Sequence, residues 1–191
     1  MSDNGKKSTV CFEGKKEVPF MDAIEAILGR RSIRIYADAE VQEDTVEELL
    51  KAAMAAPSAG NQQPWHFVVV DDRELLRKVT DVHPYAQMAA KAPLGILVCG
   101  DPSLEKHEGY WVQDCAAATE NLLLAAYALG LGAVWTGVHP RVERAEGFRK
   151  LFGIPRDIIP FAFVVIGYPA ENKLPSERYA PDRVSRNGWK K

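Results

Sequence analysis

Three arginines and one serine lie within the five residues RRSIR, at positions 30–34. Guanidinium groups bind phosphate oxygens through paired hydrogen bonds, and a serine hydroxyl between them adds another hydrogen bond. If the chain is extended here, Arg30, Ser32 and Arg34 point to one side and Arg31 points away. A second interpretation is that the arginines complement the negative C-terminal end of a preceding helix. The pattern therefore indicates either a helix end or a phosphate clamp.

A second polar stretch is APSAGNQQPWHFVVV at residues 56–70. Pro57, Gly60 and Pro64 are typical of a turn between a helix and a strand. The turn also groups several polar side chains, those of Ser58, Asn61, Gln62 and Gln63. Amides donate and accept hydrogen bonds, so this turn could read the edge of a heteroaromatic ring. Trp65, a large residue at a strand start, is expected in the core.

The third stretch is WTGV at residues 135–138. A glycine inside an apolar strand usually marks a bulge or a close approach to the backbone. A flat ligand lying against the backbone at Gly137 would account for it.

Composition limits the class of protein. The chain has 191 residues, of which 47% are hydrophobic and 26% charged, as is typical of one folded domain. A formal net charge of −2 argues against a nucleic-acid binder, whose binding face is usually basic. No stretch reaches the roughly 18 apolar residues that a membrane-spanning helix needs. We therefore expect a soluble, cytoplasmic protein with no nucleic-acid or membrane partner.

The cysteines and histidines predict no metal site and no reactive thiol. Cys11, Cys99 and Cys115 are widely spaced and form no CxxC motif, which is typical of a reducing compartment. Cys99 and Cys115 lie in apolar runs, which favours core positions. The four histidines share no motif with each other or with the cysteines, so each is expected on the surface or in a local hydrogen bond.

Hydrophobic periodicity predicts both helices and strands. The predicted helices cover residues 20–29, 44–56, 73–81, 111–129 and 141–152. The predicted strands cover residues 66–72, 94–101, 133–138 and 161–168. Strand 94–101 is apolar almost throughout, so both of its faces should be buried. Because helices and strands do not alternate strictly along the chain, the sequence predicts an α+β fold with a central sheet flanked by helices.

Local signals predict where two helices begin or end. Asp44 and Glu47 match a capping box for the second helix. Gly130 and Gly132 are expected to end helix 111–129. That helix is apolar around most of its circumference, which is typical of a buried helix or of one at a subunit interface.

Four motifs, in this order and spacing, resemble the nitroreductase family of FMN-dependent oxidoreductases. They are RRSIRIY, AAPSAGNQQPWHFVVV, GLGAVWTGV and IGYP. The resemblance covers residues 20–180 and implies a three-layer α+β fold with a central mixed, mainly antiparallel sheet, in an intertwined homodimer. Residues 1–18, which are charged and contain no long apolar run, are expected to be a flexible extension. Residues 19–191 would form one FMN-binding domain whose C-terminal tail reaches the partner subunit.

The resemblance implies which residues bind the FMN phosphate. Arg30 and Ser32 would hold it, and Arg31 would contribute through its backbone or side chain. A basic residue of the C-terminal tail would also reach the phosphate. Arg178 is the candidate for that role, and Arg183 is close enough in sequence to compete.

The resemblance also implies contacts to the flavin ring. Arg34 would reach the N1/C2=O side, where a fixed cation stabilises the negative charge of the reduced ring. The partner subunit would line the flavin with Pro57, Ser58, Ala59, Asn61 and Gln63. The backbone contacts near N5 and O4 would come from Trp135, Thr136 and Gly137.

The implied activity is hydride transfer from NADH or NADPH to flavin N5, followed by reduction of an oxidised small molecule such as a nitroaromatic or quinone. One site used in turn by both substrates implies ping-pong kinetics. Relatives with this fold dehalogenate iodotyrosine or cleave flavin, and these reactions remain alternatives, as does a flavin carrier or sensor without useful turnover. Near the expected pocket mouth, Tyr110 and Trp111 either stack on a substrate or pack in the dimer.

Overall fold

The computed structural model describes residues 21–189, which build a four-stranded sheet with helices on both faces. The strands are β1 (Trp65–Val70), β2 (Leu94–Gly100), β3 (Gly132–Gly137) and β4 (Ile159–Gly167). The helices are α1 (Ala23–Gly29), α2 (Glu43–Met54), α3 (Arg73–Val82), α4 (Trp111–Ala128) and α5 (Val142–Phe152). The extension predicted over residues 1–18 lies outside the described residues.

The strands are ordered β1-β2-β4-β3, and every pairing between them is antiparallel. Ser32 lies outside the named strands, and a parallel bridge joins it to Ala133 of β3. The predicted α+β fold, with a mainly antiparallel central sheet between helices, is confirmed.

The side chains of the central strands alternate between two cores, as the two-residue period of a strand requires. One core includes residues of α3 and α5, and the central strands contribute Leu97, Cys99, Phe163 and Val165 to it. The other core includes residues of α2 and α4, and the central strands contribute Leu94, Ile96, Val164 and Ile166 to it. Strand β2 is buried along its whole length, as its apolar run predicted.

Two predicted helix ends are wrong. Asp44 was predicted to cap α2, but the helix begins one residue earlier, at Glu43. The N-cap residue is Gln42, and its side chain makes no capping hydrogen bond. Helix α4 ends where Gly130 takes a positive φ of 77° and Leu131 N–H bonds to the carbonyl of Ala126 at 2.8 Å. Gly132, predicted to help end that helix, begins β3 instead.

Gly132 is required in β3 because Ile33 packs against it. A Cβ atom at position 132 would lie 2.7 Å from the Cβ of Ile33. The segment that carries the three arginines therefore reaches the sheet at this glycine.

Residues 32–37 lie between β3 and the start of the C-terminal tail. On one side, Ile33 N–H donates to the carbonyl of Ala133 at 3.1 Å. On the other side, Ala170 N–H donates to the carbonyl of Ile35 at 2.9 Å. The buried hydroxyl of Tyr36 lies 2.6 Å from the carbonyl of Ile33 and 3.1 Å from that of Val165, and burial raises the pKa of Tyr36. The fold thus holds this segment from both edges.

Candidate functional site

The tail fixes the backbone of the arginine segment through one acidic and one basic side chain. The Glu171 carboxylate accepts the N–H groups of Arg34 and Ile35. The Lys173 ammonium donates to the carbonyl of Ser32 at 2.8 Å and pairs with Glu171 at 3.0 Å. The Arg34 N–H and the Lys173 ammonium both hold the pKa of Glu171 below its usual value. The Arg34 side chain is left exposed.

Arg30 and Arg31 are held in different ways. Arg30 makes a two-point pair with Glu120 of α4, through Nε at 2.7 Å and NH2 at 3.0 Å. Arg31 donates to backbone carbonyls, with Nε bonded to Leu174 and NH1 to Leu28, both at 3.0 Å. The NH2 nitrogen of Arg31 is buried and has no hydrogen-bond partner in the described part of the chain.

Both arginines line a cavity of about 450 Å³ between α1 and the tail. Strict alternation predicted that Arg31 would point away from Arg30, but the backbone carbonyls of Leu28 and Leu174 hold its guanidinium beside this cavity. The tail contributes Ser176 and Arg178, whose side chains are bonded to each other at 3.2 Å.

The residues that line the cavity distinguish between Arg178 and Arg183, the two tail arginines considered for phosphate binding. Arg178 lines the cavity, whereas Arg183 belongs to a short helical turn outside the lining residues. Ser32 and Arg34 are also outside the described lining, although Ser32 is next in sequence to Arg31.

The cavity fits a phosphate group. Its lining residues include three arginines, Arg30, Arg31 and Arg178, and the hydroxyl-bearing Ser176, and guanidinium and hydroxyl groups are the donors that phosphate oxygens accept.

The turn at residues 57–64 has an unusual backbone. Gly60, Asn61 and Gln63 have positive φ values of 55°, 53° and 48°. Ser58 Oγ accepts the N–H of Gln63 at 3.0 Å, and the Gln63 amide donates to Asn61 Oδ1 at 3.1 Å. Side chains predicted to bind a ring thus also shape the turn, while Pro57, Asn61 and Gln63 remain exposed and Ala59 half-buried.

A buried polar bracket that the sequence did not reveal holds this turn. The Asp114 carboxylate of α4 accepts the N–H of Ala59 at 3.0 Å and the amide of Gln62 at 2.7 Å. The Gln62 carbonyl oxygen in turn accepts the backbone N–H groups of Lys106 and His107 at 2.8 and 3.1 Å. Gln62 is 6% exposed and Asp114 is 4% exposed. The sequence carries one signal of this contact: Asp114 is an acidic residue within the apolar run of α4.

The end of β3 leaves an open patch of backbone at Gly137. The pairing of Gly137 with Ala162 is regular, so there is no bulge, and within residues 21–189 no atom beyond those of Gly137 and its two chain neighbours lies within 4 Å of the place a Cβ would take. The Thr136 hydroxyl donates to the carbonyl of Phe163 at 2.7 Å, and the Trp135 ring packs against Phe161. The open space here therefore lies beside the backbone at Gly137, while the Thr136 hydroxyl is already engaged.

Two side chains fix the carbonyl of Gly137. His83 Nε2 lies 2.9 Å from it and Arg144 NH1 lies 2.8 Å from it. The N–H of Tyr85 points to His83 Nδ1 at 3.2 Å, which leaves Nε2 as the donor of a neutral ring. Burial lowers the pKa of His83, in agreement with that neutral state.

Other residues named from the sequence have structural roles. Trp65 is buried, as predicted. Trp111 is also buried and packs edge-on against His139, with the ring centroids 4.9 Å apart, whereas Tyr110 is exposed. Cys99 and Cys115 are buried, and burial raises the pKa of both thiols, to about 12 for Cys99. Cys11 lies outside the described residues.

Two other kinds of feature are absent from residues 21–189. No group of three or more histidine, cysteine or acidic side chains there could hold a metal ion. None of the helices there is long and apolar enough to cross a membrane.

Comparisons with known proteins agree on one family. The model of the nitroreductase family matches residues 27–83 and 78–168. A Methanothermobacter thermautotrophicus protein named "Putative NADH dehydrogenase/NAD(P)H nitroreductase" is 53% identical over 183 residues, or 96% of this chain and 95% of its own. An NADH dehydrogenase of Thermus thermophilus is 31% identical, with 87% and 96% covered. The structure of an FMN-dependent nitroreductase from Clostridium difficile has a TM-score of 0.81 at 29% identity, with 87% and 99% covered.

The Asp114 bracket can be tested by Asp114→Ala. This change leaves the N–H of Ala59 and the amide of Gln62 without an acceptor, which should cost about 1–3 kcal/mol of unfolding free energy. Hydrogen exchange at residues 57–64 should accelerate more than in the rest of the chain. Gln113→Ala, at an exposed position of the same helix, is the control. Unchanged exchange in the turn would show that Asp114 does not hold it.

Proposed function

The chain belongs to the nitroreductase family, and from this premise we propose that it is an FMN-dependent NAD(P)H oxidoreductase. It takes hydride from NADH or NADPH and reduces an oxidised small molecule, such as a nitroaromatic or a quinone, in a ping-pong sequence. The observation that carries the proposal is the cavity lined by three cationic side chains, those of Arg30, Arg31 and Arg178.

In this proposal the cavity takes the FMN phosphate. Arg30 and Arg178 supply charge-assisted hydrogen bonds from two different chain segments, and Arg31 adds a third positive charge to the lining. Ser176, which lines the cavity, and Ser32, next to Arg31 in the sequence, add hydroxyl groups. Because such bonds are stronger than neutral ones, the phosphate contributes a large part of the binding energy.

Arg34 has the property that a flavin-tuning cation needs. The residue is exposed, so its side chain is available to a ligand. Its backbone N–H is bonded to Glu171, which fixes the position from which the side chain extends. Bound FMN would supply hydride chemistry at its N5, and the Arg34 cation would stabilise the negative charge that reduction would place near N1. We place Arg34 on that N1/C2=O side.

The remaining ring contacts come from preformed backbone. The turn with Pro57, Ser58, Ala59, Asn61 and Gln63 is held in shape by its own hydrogen bonds and by Asp114. The edge of Trp135, Thr136 and Gly137 offers an open backbone whose last carbonyl is fixed. Preformed contacts of this kind lower the cost of ordering a site when the ligand binds.

A homodimer in which each flavin lies between subunits accounts for the exposed apolar residues. On α1, Ile24, Ile27 and Leu28 are 61%, 52% and 66% exposed, and in the tail Leu174 and Tyr179 are 83% and 72% exposed. A partner that covered α1 and received the tail would bury these surfaces, consistent with the single domain proposed for residues 19–191. The outer face of α4 would add to the same interface.

The phosphate assignment predicts a difference between FMN and riboflavin, which lacks the phosphate. Arg30→Ala should weaken FMN binding by roughly ten-fold or more, in line with about 1.5–3 kcal/mol for a hydrogen bond to a charged group. Riboflavin binding should change little. Flavin fluorescence titration measures both, with Arg77→Ala on the surface of α3 as the control. Equal losses for the two ligands would show that Arg30 does not contact the phosphate.

The assignment of Arg34 predicts a change in redox potential. Arg34→Gln should lower the midpoint potential of bound FMN by about 30–60 mV, the two-electron equivalent of roughly 1.5–3 kcal/mol, and slow hydride uptake. Arg77→Gln should leave the potential unchanged. A variant that still binds FMN with an unaltered potential would contradict this position for Arg34.

The shared site predicts complementation between two damaged chains. One carries Arg30→Ala and Arg34→Ala, and the other carries Ser58→Ala and Asn61→Ala. If the two motifs act from opposite subunits, a mixed dimer has one intact and one doubly damaged site. After joint refolding with random pairing, FMN content should recover to roughly a quarter of the wild-type value.

The competing arrangement gives a different result. If both motifs served a site within one chain, every site in the mixture would stay damaged and FMN content would not recover. Mass spectrometry of the intact dimers establishes that mixed dimers are present.

A further inference from the structure

We propose that Glu120 is a positioning residue that orients Arg30 for an anionic ligand, an inference that rests on the proposed phosphate role of Arg30. Glu120 lies on α4 and has no place in the binding roles assigned above. Its two carboxylate oxygens accept Arg30 Nε at 2.7 Å and NH2 at 3.0 Å. The Glu120 side chain is 40% exposed and the Arg30 side chain is 26% exposed, so the pair lies at the edge of the protein interior.

The geometry leaves the outer end of Arg30 available. A guanidinium has five N–H donors, and the Nε/NH2 side used by Glu120 takes two of them. Both hydrogens of NH1 and the second hydrogen of NH2 remain. Arg30 also lines the cavity that contains Arg31 and Arg178. One edge of the guanidinium can therefore be fixed by the protein while the other binds a ligand.

Glu120 lies on the long helix α4, which has many buried residues, whereas the Arg30 side chain extends from the end of the short helix α1. On either side of Glu120, Thr119 is fully buried and Asn121 donates to the carbonyl of Ala52 on α2 at 3.0 Å. Arg30 follows the seven-residue helix α1, of which Ala26 is the buried residue. The pair therefore joins a long side chain on a lightly packed element to the central helix.

Two opposing effects decide the sign of the contribution to ligand binding. The carboxylate repels an anion, but solvent screens this repulsion because Glu120 is partly exposed. Against it, an arginine loses much rotamer freedom when it is ordered, and the pair with Glu120 imposes that cost before the ligand arrives. We infer that orientation outweighs repulsion, so Glu120 strengthens the binding of a phosphate-bearing flavin.

The test compares FMN and riboflavin dissociation constants, measured by flavin fluorescence, for Glu120→Gln and Glu120→Asp. Both variants break the two-point geometry, and Glu120→Asp keeps the charge. Each should raise the dissociation constant for FMN roughly 3- to 10-fold, the scale of an arginine's rotamer freedom, and leave that for riboflavin unchanged. Glu146→Gln, which removes the charge of an exposed carboxylate paired with Arg149, should have no effect.

A double variant separates positioning from general structure. In the Arg30→Ala background, Glu120→Gln should no longer weaken FMN binding, because the residue acts through Arg30. The proposal is overturned if Glu120→Gln leaves FMN binding unchanged or tightens it while Arg30→Ala weakens it. It is also overturned if riboflavin binding falls equally, or if the loss persists without Arg30. If Arg30→Ala itself has no effect on FMN, the phosphate assignment under the proposed function fails, and this inference fails with it.

Discussion

The arginine segment is placed by hydrogen bonds on both of its edges, and the candidate site depends on this constraint. Ile33 is bonded to Ala133 on β3, and Glu171 of the tail binds the N–H groups of Arg34 and Ile35. Without the first contact the segment has no register on the sheet. Without the second, the tail that carries Arg178 is not brought back beside α1. The fold thus joins residues from the two ends of the described chain into one cavity.

Helix α4 is the second support, because it holds both polar motifs. Asp114 fixes the turn at residues 57–64, and Glu120 pairs with Arg30. These two carboxylates lie on one helix, separated by roughly 9 Å along its axis at 1.5 Å per residue. A buried helix is stiff, and a site whose parts attach to it needs little rearrangement when a ligand binds.

Sequence reasoning recovered the features that depend on local pattern. The apolar run of β2 and the turn chemistry after Pro57 led to the observed elements, since period and residue type act over a few neighbours. The WTGV motif also drew attention to Gly137, where the backbone is open, while the binding roles of the arginines stay predictions. The capping box failed because Asp44 lies inside the first turn of α2, where a helix starting at Glu43 leaves it no capping role.

The features that were missed join residues far apart in the sequence. Gln62 and Asp114 are separated by 52 positions, and Arg30 and Glu120 by 90. No local period encodes such pairs. The position of Arg31 was also missed, because carbonyl groups of two separate segments, rather than strand alternation, direct its side chain.

Anaerobic titration of the purified protein with NADH and with NADPH tests the central claim most directly. The protein should carry the visible absorbance of FMN, and at least one nucleotide should bleach it rapidly. Addition of a nitroaromatic or a quinone should then restore the absorbance. A protein that binds no FMN, or whose bound FMN is reduced only slowly by both nucleotides, would contradict the assignment of this chain as an FMN-dependent NAD(P)H oxidoreductase.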